Sequence, residues 1–316
     1  MSDFDSPAAD PAVDVRGLTY RYGERVAVDD LSFAVPAGET FGLLGPNGGG
    51  KTTLFRVLST LVPVMGGEAT VCGRNVRTEP DAVRGVLGVT FQSPSLDAKL
   101  TVRENLSYHA ALYGLRGAAA RARVAAVADR LGVADRLGDL AGGLSGGLKR
   151  RVEIAKGLLH APRVLLLDEP SAGLDPTARA ALWDLLDSLR RSDGVTTLVT
   201  THLMEEAERC DRLLILDAGR KVAEGAPDDL RAAVGGDVLT LSARDPEALA
   251  DAVRGRFGLD PAVLDGRVRV ESPAGHETLR DVMAAFGDDV TYVTLGRPTL
   301  GDVFTARTGK RFEAGA

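Results

Sequence analysis

Gly45-Pro46-Asn47-Gly48-Gly49-Gly50-Lys51-Thr52-Thr53 has the residue types and the spacing to hold a polyanion. The glycines let backbone N–H groups turn inward and form an anion nest, and a helix N-terminus behind them adds partial positive charge. Lys51 can reach β- and γ-phosphates, and the Thr52 hydroxyl suits a hard divalent cation such as Mg²⁺. The pattern G-x-x-x-x-G-K-[ST] carries this meaning between a strand and a helix. Glu39–Leu44 reads as a buried strand and Lys51–Ser59 as the helix, so the loop is expected to bind ATP or GTP. A glycine-rich turn with a chance lysine is the less favoured reading.

Three further groupings could do chemistry. Leu165-Leu-Leu-Asp168-Glu169 ends a hydrophobic run in two acids. Asp168 could hold Mg²⁺, and Glu169 could accept a proton from an attacking water. Leu144-Ser145-Gly146-Gly147 precedes a helix over Lys149–His160 and offers a hydroxyl and backbone donors to an anion. His202 follows the apolar run Val195–Thr201, at the edge where ligands sit in open α/β folds. Each has a bland alternative: an acidic turn, a generic loop, a structural histidine.

The elements that must position these residues form three blocks. From Val13 to Val35 short apolar runs alternate with turns such as Tyr22-Gly23-Glu24, predicting small antiparallel strands. Strands are predicted at Gly85–Phe91, Arg163–Asp168, Val195–Thr201 and Arg212–Asp217, with a helix over Thr177–Arg191. Strands that are apolar on both faces and alternate with helices imply a covered, mostly parallel sheet. Between them, about 100–160 is rich in alanine, leucine and arginine at helical spacing, with helices over Arg103–Leu112 and Ala118–Leu131, and reads as a helical insertion. Beyond about 235 the pattern changes to strands at Val238–Ser242, Arg267–Val270 and Val290–Thr294. Helices near Pro246–Phe257 and His276–Phe286 separate them. Residues 235–316 are therefore expected to form a small C-terminal α+β domain, and residues 1–12 a flexible tail.

Composition narrows the partners. A formal charge of −6 over 316 residues argues against a protein that coats nucleic acid, and Lys149-Arg150-Arg151 is the tight basic cluster. Cys72 and Cys210 have no metal spacing and read as small buried hydrophobes in a reducing cytoplasm. No apolar run reaches the roughly 18 residues that a membrane-spanning helix needs. The acidic N-terminus lacks the basic start of a signal peptide.

In this order and spacing the motifs resemble the nucleotide-binding subunit of ATP-binding-cassette transporters, over roughly residues 13–230. The fold this implies is the P-loop cassette: a mostly parallel sheet with a small antiparallel β-subdomain and a helical insertion. Gly45–Thr52 is similar to the Walker A loop, Arg163–Glu169 to Walker B and Leu144–Leu148 to the family signature. The resemblance implies Mg²⁺ on Thr52, Gln92 and Asp168, and Glu169 as catalytic base. It makes Gln92 the Q-loop glutamine facing a permease, and Ser171–Asp175 the D-loop with its acid at Asp175. His202 becomes the switch histidine and Tyr22 the aromatic that stacks on adenine. In such proteins two cassettes pack head to tail, and the signature Leu144–Gly147 serves the partner's ATP. A homodimer on the cytoplasmic face of the membrane, bound to a permease in a separate chain, is thus implied, with no nucleic-acid partner.

Departures are Leu148, where many relatives have glutamine, and Ser171, where threonine is commoner. The stretch Phe91–Leu106 is similar to exporter ATPases of the daunorubicin-resistance type, as is the close Arg297-Pro-Thr-Leu-Gly-Asp-Val-Phe304. Export of a drug, antibiotic or lipid-like substrate follows from that likeness. The rival readings are a soluble cassette ATPase acting on ribosomes or DNA, an importer subunit, and a non-hydrolysing regulator. The single cassette and the lack of heptads between Lys51 and Ser145 disfavour the first. The intact Asp168–Glu169 pair disfavours the last.

Overall fold

The structure of the protein, a computed structural model, describes residues 10–310 and 312. Residues 1–9 of the expected N-terminal tail lie outside the described residues. Two compact units follow one another, Met1–Lys221 and Val222–Ala316.

In the first unit, the strands Val13–Tyr22 and Arg25–Val35 pair antiparallel from Val13↔Val35 to Tyr22↔Arg25 around the predicted turn. At ten and eleven residues they are longer than the small strands predicted. Gly66–Val71 and Arg74–Asn75 complete this sheet. Its inward residues Val13, Val15, Leu18, Val28, Leu31 and Phe33 share one core with Phe41, Leu43, Leu54 and Phe55. That shared core seats the antiparallel sheet against the strand and helix that flank the phosphate loop.

Five parallel strands form the second sheet, in the order Arg212–Asp217, Thr40–Leu44, Thr196–Thr201, Val164–Asp168, Leu87–Thr90. The three central strands are buried at every position. They read as continuous apolar or threonine runs because both of their faces are covered. The chain leaves the unit along a sixth strand, Arg220–Gly225. One predicted strand is shorter than expected. Gly85 and Val86 end a helix, Pro80–Val86, and only Leu87–Thr90 is extended. A short apolar run does not reveal by periodicity where helix gives way to strand.

Local signals fix the helices. Asp175 caps Pro176–Asp193 by accepting from the Ala178 N–H, Pro176 opens it, and Gly194 closes it at φ 64°. Leu182, Trp183, Leu186 and Leu189 form its buried stripe. In the helical insertion, Thr101 and Glu104 make a reciprocal capping box for Val102–Leu112. Gly117–Arg130 and Gly146–Leu158 pack with it.

The second unit is a βαββαβ arrangement. Its antiparallel sheet runs Ala262–Leu264, Arg267–Ser272, Asp237–Ala243, Val290–Gly296, the split order of a ferredoxin-like fold. Helices Pro246–Phe257 and Gly275–Phe286 supply Leu249, Val253 and Val282 to a core with Leu239, Leu241, Val268 and Val270. The closing sequence Thr299–Phe304 starts a further helix, Leu300–Thr308. A Thr299–Asp302 capping box begins it, and Leu300, Val303 and Phe304 are buried. Asp302 also meets the buried Arg269 at 3.2 Å.

Candidate active site

The loop after the strand Thr40–Leu44 is shaped by contacts that only glycine permits. A Cβ on Gly45 would lie 2.4 Å from the Leu216 carbonyl oxygen, and one on Gly50 2.5 Å from that of Ala27. Gly50 also sits at φ 101° as the residue before the helix Lys51–Leu58. Asn47 and Gly48 are exposed at the tip, Thr52 is exposed at the start of the helix, and Pro46 and Thr53 are half-buried. Lys51 is 5% exposed, and its Nζ donates to the Gly45 and Pro46 carbonyls at 2.6 and 3.0 Å. Burial holds its pKa below the usual lysine range, against the pull of the Glu169 and Asp168 carboxylates.

The strand Val164–Asp168, next but one to Thr40–Leu44 across Thr196–Thr201, delivers Asp168, 2% exposed, to the same edge of the sheet. Thr200 Oγ1 donates to Asp168 Oδ1 at 2.6 Å, and the same oxygen accepts from the Glu169 backbone N–H at 2.9 Å. Burial pushes the Asp168 carboxyl above the usual range, opposed by hydrogen bonds from Thr200 and Thr52. Glu169 is left-handed at φ 45°, a conformation that costs a non-glycine residue on the order of 1–3 kcal/mol and concentrates at functional sites.

Two side chains from other strand ends meet the Glu169 carboxylate. Gln92 Nε2 donates to Oε2 at 3.1 Å. His202 Nδ1 stands 3.2 Å from Oε1, at ion-pair distance but out of line for a hydrogen bond. Lys51, Thr52, Gln92, Asp168, Glu169 and His202 thus gather at one sheet edge. Tyr22 is exposed at the end of its strand, edge-on to Tyr20 at 4.9 Å, with its hydroxyl 3.5 Å from Arg56 of the phosphate-loop helix.

The segment Leu144–Gly147 lies apart from this cluster. Leu144 is buried, and Ser145 caps Gly146–Leu158 by accepting from the Leu148 N–H. Gly146 and Gly147 face Leu174 and Ala178, beside the cap residue Asp175. Among the described residues, no hydrogen bond or ion pair joins Ser145, Gly146 or Gly147 to Lys51, Asp168 or Glu169.

Sequence reading missed what supports this edge. Thr200 is one of four threonines in its strand and carries no signal of its own. Lys149-Arg150-Arg151 is not an open basic patch. Arg150 is buried, pairs with buried Glu153 at 2.9 Å and donates to the Phe91 carbonyl at 3.0 Å. Glu153 accepts from the Ser95 N–H at 2.7 Å, and Lys156 Nζ donates to the Ser95 carbonyl at 2.9 Å. Three side chains on about two turns of the helix Gly146–Leu158 thus grip the segment that carries Gln92. Of the cysteines, Cys210 is buried, with burial pushing its thiol up, whereas Cys72 is half-buried in a turn at φ 50°.

Known proteins resemble this chain in sequence and share its cassette fold. The family described as "ABC transporter" matches residues 28–172, and one described as "AAA domain, putative AbiEii toxin, Type IV TA system" matches 141–208. The daunorubicin resistance ATP-binding protein DrrA2 of Streptomyces coeruleorubidus is 38% identical over 312 residues, 96% of each chain. The chain belongs to the ABC transporter ATP-binding family. This cassette is therefore an ATP-binding, ATP-hydrolysing subunit of a transporter. The Nod factor export ATP-binding protein I of Burkholderia orbicola (strain AU 1054) is 45% identical over 241 residues, covering 76% of the cassette chain and 79% of its own. Among solved structures, cbiO1 of Clostridium perfringens, part of the ABC transporter complex cbiONQ, superposes with a TM-score of 0.66 at 27% identity. It covers 79% of this chain and 96% of that one. Among the described residues, no helix is long and apolar enough to cross a membrane.

Proposed function

We propose that this cassette hydrolyses MgATP with Glu169 as general base, and that two copies energise a permease carried on a separate chain. The observation that carries the reading is the Glu169 carboxylate, bracketed by Gln92 Nε2 at 3.1 Å and His202 Nδ1 at 3.2 Å at the edge where Lys51 and Asp168 also end. Phosphoryl transfer is mostly positioning and charge neutralisation, and these groups suit both tasks. Lys51 meets the β- and γ-phosphates, while the loop Gly45–Thr53 wraps the phosphate tail. Glu169 takes the proton of the attacking water, with Gln92 orienting that carboxylate and His202 facing the γ-phosphate. Tyr22, exposed beside the phosphate-loop helix, offers its ring to adenine.

The donor set fits Mg²⁺: a buried carboxylate, a hydroxyl and an amide oxygen are the hard ligands this ion takes. Thr52, Gln92 and Asp168 would hold it. Bound there, the ion would neutralise charge on the transferred phosphoryl oxygens.

In this reading Leu144–Gly147, with no bond to the cassette's own Lys51 or Glu169, serves the ATP of a second copy, with Asp175 at the same junction. The cassette domain spans 13–230 with its helical part at about 100–160, and 235–316 is an accessory domain. The cassette sits on the cytoplasmic face of the membrane through the permease. The names of the relatives, daunorubicin resistance and Nod factor export, support export of a drug, antibiotic or lipid-like substrate.

The test is an affinity pull-down of tagged Glu169→Gln protein from native membranes in MgATP, read by mass spectrometry. Recovery of one polytopic membrane protein is expected, and its sequence would narrow the substrate. Recovery of ribosomes, or of no membrane protein, would overturn the transporter reading in favour of a soluble ATPase.

A further inference from the structure

Glu206 is a fully buried acid with no part in the mechanism above. It lies in the one-turn helix Met204–Ala207, just after His202, and is 2% exposed. Its two carboxylate oxygens go to different places. Oε1 accepts from the Ser171 hydroxyl, and Oε2 accepts from Thr201 Oγ1 at 2.6 Å. Arg179 Nε stands 3.7 Å from Oε1. Thr201 Oγ1 accepts in turn from the Leu203 N–H at 2.9 Å, which folds the chain back around His202.

These contacts have a consequence for the site. Ser171 is two residues beyond Glu169, in a turn closed by the Ala172 N–H on the Glu169 carbonyl at 3.1 Å. Thr201 is the residue before His202. One carboxylate therefore ties the backbone that aims Glu169 to the backbone that aims His202. Ser171 is itself buried at 2% exposure, so water cannot take over either bond. A plain structural account is a polar group satisfied in the core. An apolar side chain would fill the same space without the cost of burying a carboxylate.

We propose that Glu206 is a positioning residue for ATP hydrolysis, whose two oxygens hold the Ser171 and Thr201 loops as one unit so that Glu169 and His202 face the γ-phosphate together. The assignment rests on the hydrolytic roles proposed for Glu169 and His202. It makes a divided prediction. Among the described residues no hydrogen bond or ion pair joins Glu206 to Lys51 or to Gly45–Thr53, so nucleotide affinity is expected to be spared while turnover falls.

The experiment compares full-length wild type with Ser171→Ala, Ser171→Thr and Glu206→Gln. Amide hydrogen exchange, turnover of MgATP and melting temperature are measured for each. In Ser171→Ala, exchange at Leu203–Ala207 is expected to quicken and kcat to fall by about tenfold, the scale of one hydrogen bond to a charged group. KM for ATP should stay within about twofold. Ser171→Thr, which keeps the hydroxyl, should restore both, and Glu206→Gln should fall between them. Unaltered exchange at Leu203–Ala207 in Ser171→Ala overturns the proposal. So does a Ser171→Thr protein as slow as Ser171→Ala, or a loss of kcat matched by a rise in KM. Wild type that does not hydrolyse MgATP would instead remove the hydrolytic reading of Glu169, while the exchange data still decide whether Glu206 joins the two loops. The Ser171 pair decides the matter even if Glu206→Gln does not fold.

Discussion

Gln92 and Glu169 are 77 residues apart in sequence, yet Gln92 Nε2 donates to Glu169 Oε2 at 3.1 Å. The two adjacent parallel strands Leu87–Thr90 and Val164–Asp168 bring them together, each ending just before its functional side chain. Gln92 is not left to its own loop. Arg150 donates to the Phe91 carbonyl at 3.0 Å and reaches the Gln92 carbonyl at 3.5 Å. The geometry of the carboxylate is thereby set by the helix that Ser145 caps as well as by the sheet.

Replacement of Glu169 by Gln keeps the size and the contact with Gln92 but removes the carboxylate proposed as proton acceptor. General-base catalysis contributes roughly 10²–10⁴-fold, so kcat should fall by that order. The affinity for ATP, which the proposed function assigns to Lys51 and the loop, should change little. Steady-state turnover and titration calorimetry read the two quantities, and near-normal turnover would remove Glu169 from the role of base.

Thr200→Val is nearly isosteric and deletes one hydroxyl that serves two groups. Asp168 Oδ1 loses its 2.6 Å donor and the Glu169 N–H its 2.9 Å acceptor. A buried polar group left without a partner costs about 1–3 kcal/mol. The variant should therefore unfold at lower urea, whereas Thr200→Ser should stay near wild type. Equal midpoints for Thr200→Val and wild type would show that the hydroxyl is not what supports the left-handed Glu169.

Much of this site was legible because its chemistry is local in sequence. Gly45–Thr52 is a strand–loop–helix that carries its own backbone signature, and Asp168–Glu169 closes an apolar run. What was illegible depends on register between distant elements. Thr200 resembles Thr196, Thr197 and Thr201 until the parallel pairing Asp168↔Thr200 singles it out. Arg150 looked like surface charge because its partners, Glu153 and the Phe91 carbonyl, meet it only after the helix docks. In the fold, long amphipathic helices such as Pro176–Asp193 declared themselves. Pro80–Val86, Pro227–Ala232 and Leu300–Thr308 did not, since six to nine residues are too few for a clear period.

Acid should weaken the cassette through a histidine stack in the helical insertion. The rings of Tyr113 and His160 are parallel at 3.8 Å, and His109 tilts against Tyr113 at 5.5 Å. Burial lowers the His109 pKa from 6.5 to about 4, helped by the nearby Lys156 and His160, and burial lowers that of His160 too. Between about pH 6.5 and 4 the unfolded chain binds a proton at His109 that the folded one refuses. Stability should fall as pH drops through that window and recover above it. His109→Gln has no such proton, so its urea midpoint should drop less than that of wild type between pH 7 and pH 5. Parallel curves for the two proteins would show that His109 titrates normally in the fold.

The Arg150–Glu153 pair should separate stability from positioning. Both side chains are under a tenth exposed, so removing one leaves the other charge buried without its partner. That loss is typically about 3–5 kcal/mol, which sets the expected destabilisation of Glu153→Ala in urea. Replacing both together, Arg150→Met with Glu153→Leu, should recover most of it, because well-packed apolar side chains substitute for buried ion pairs at little cost. The double variant still loses the Arg150 bond to the Phe91 carbonyl and the Glu153 bond to the Ser95 N–H. Gln92 would then approach Glu169 from a looser segment. The recovered protein should bind ATP normally yet turn it over more slowly than wild type. Full turnover in the double variant would assign the pair to the core alone, and a double variant as unstable as Glu153→Ala would show that the charges themselves hold the helix in place.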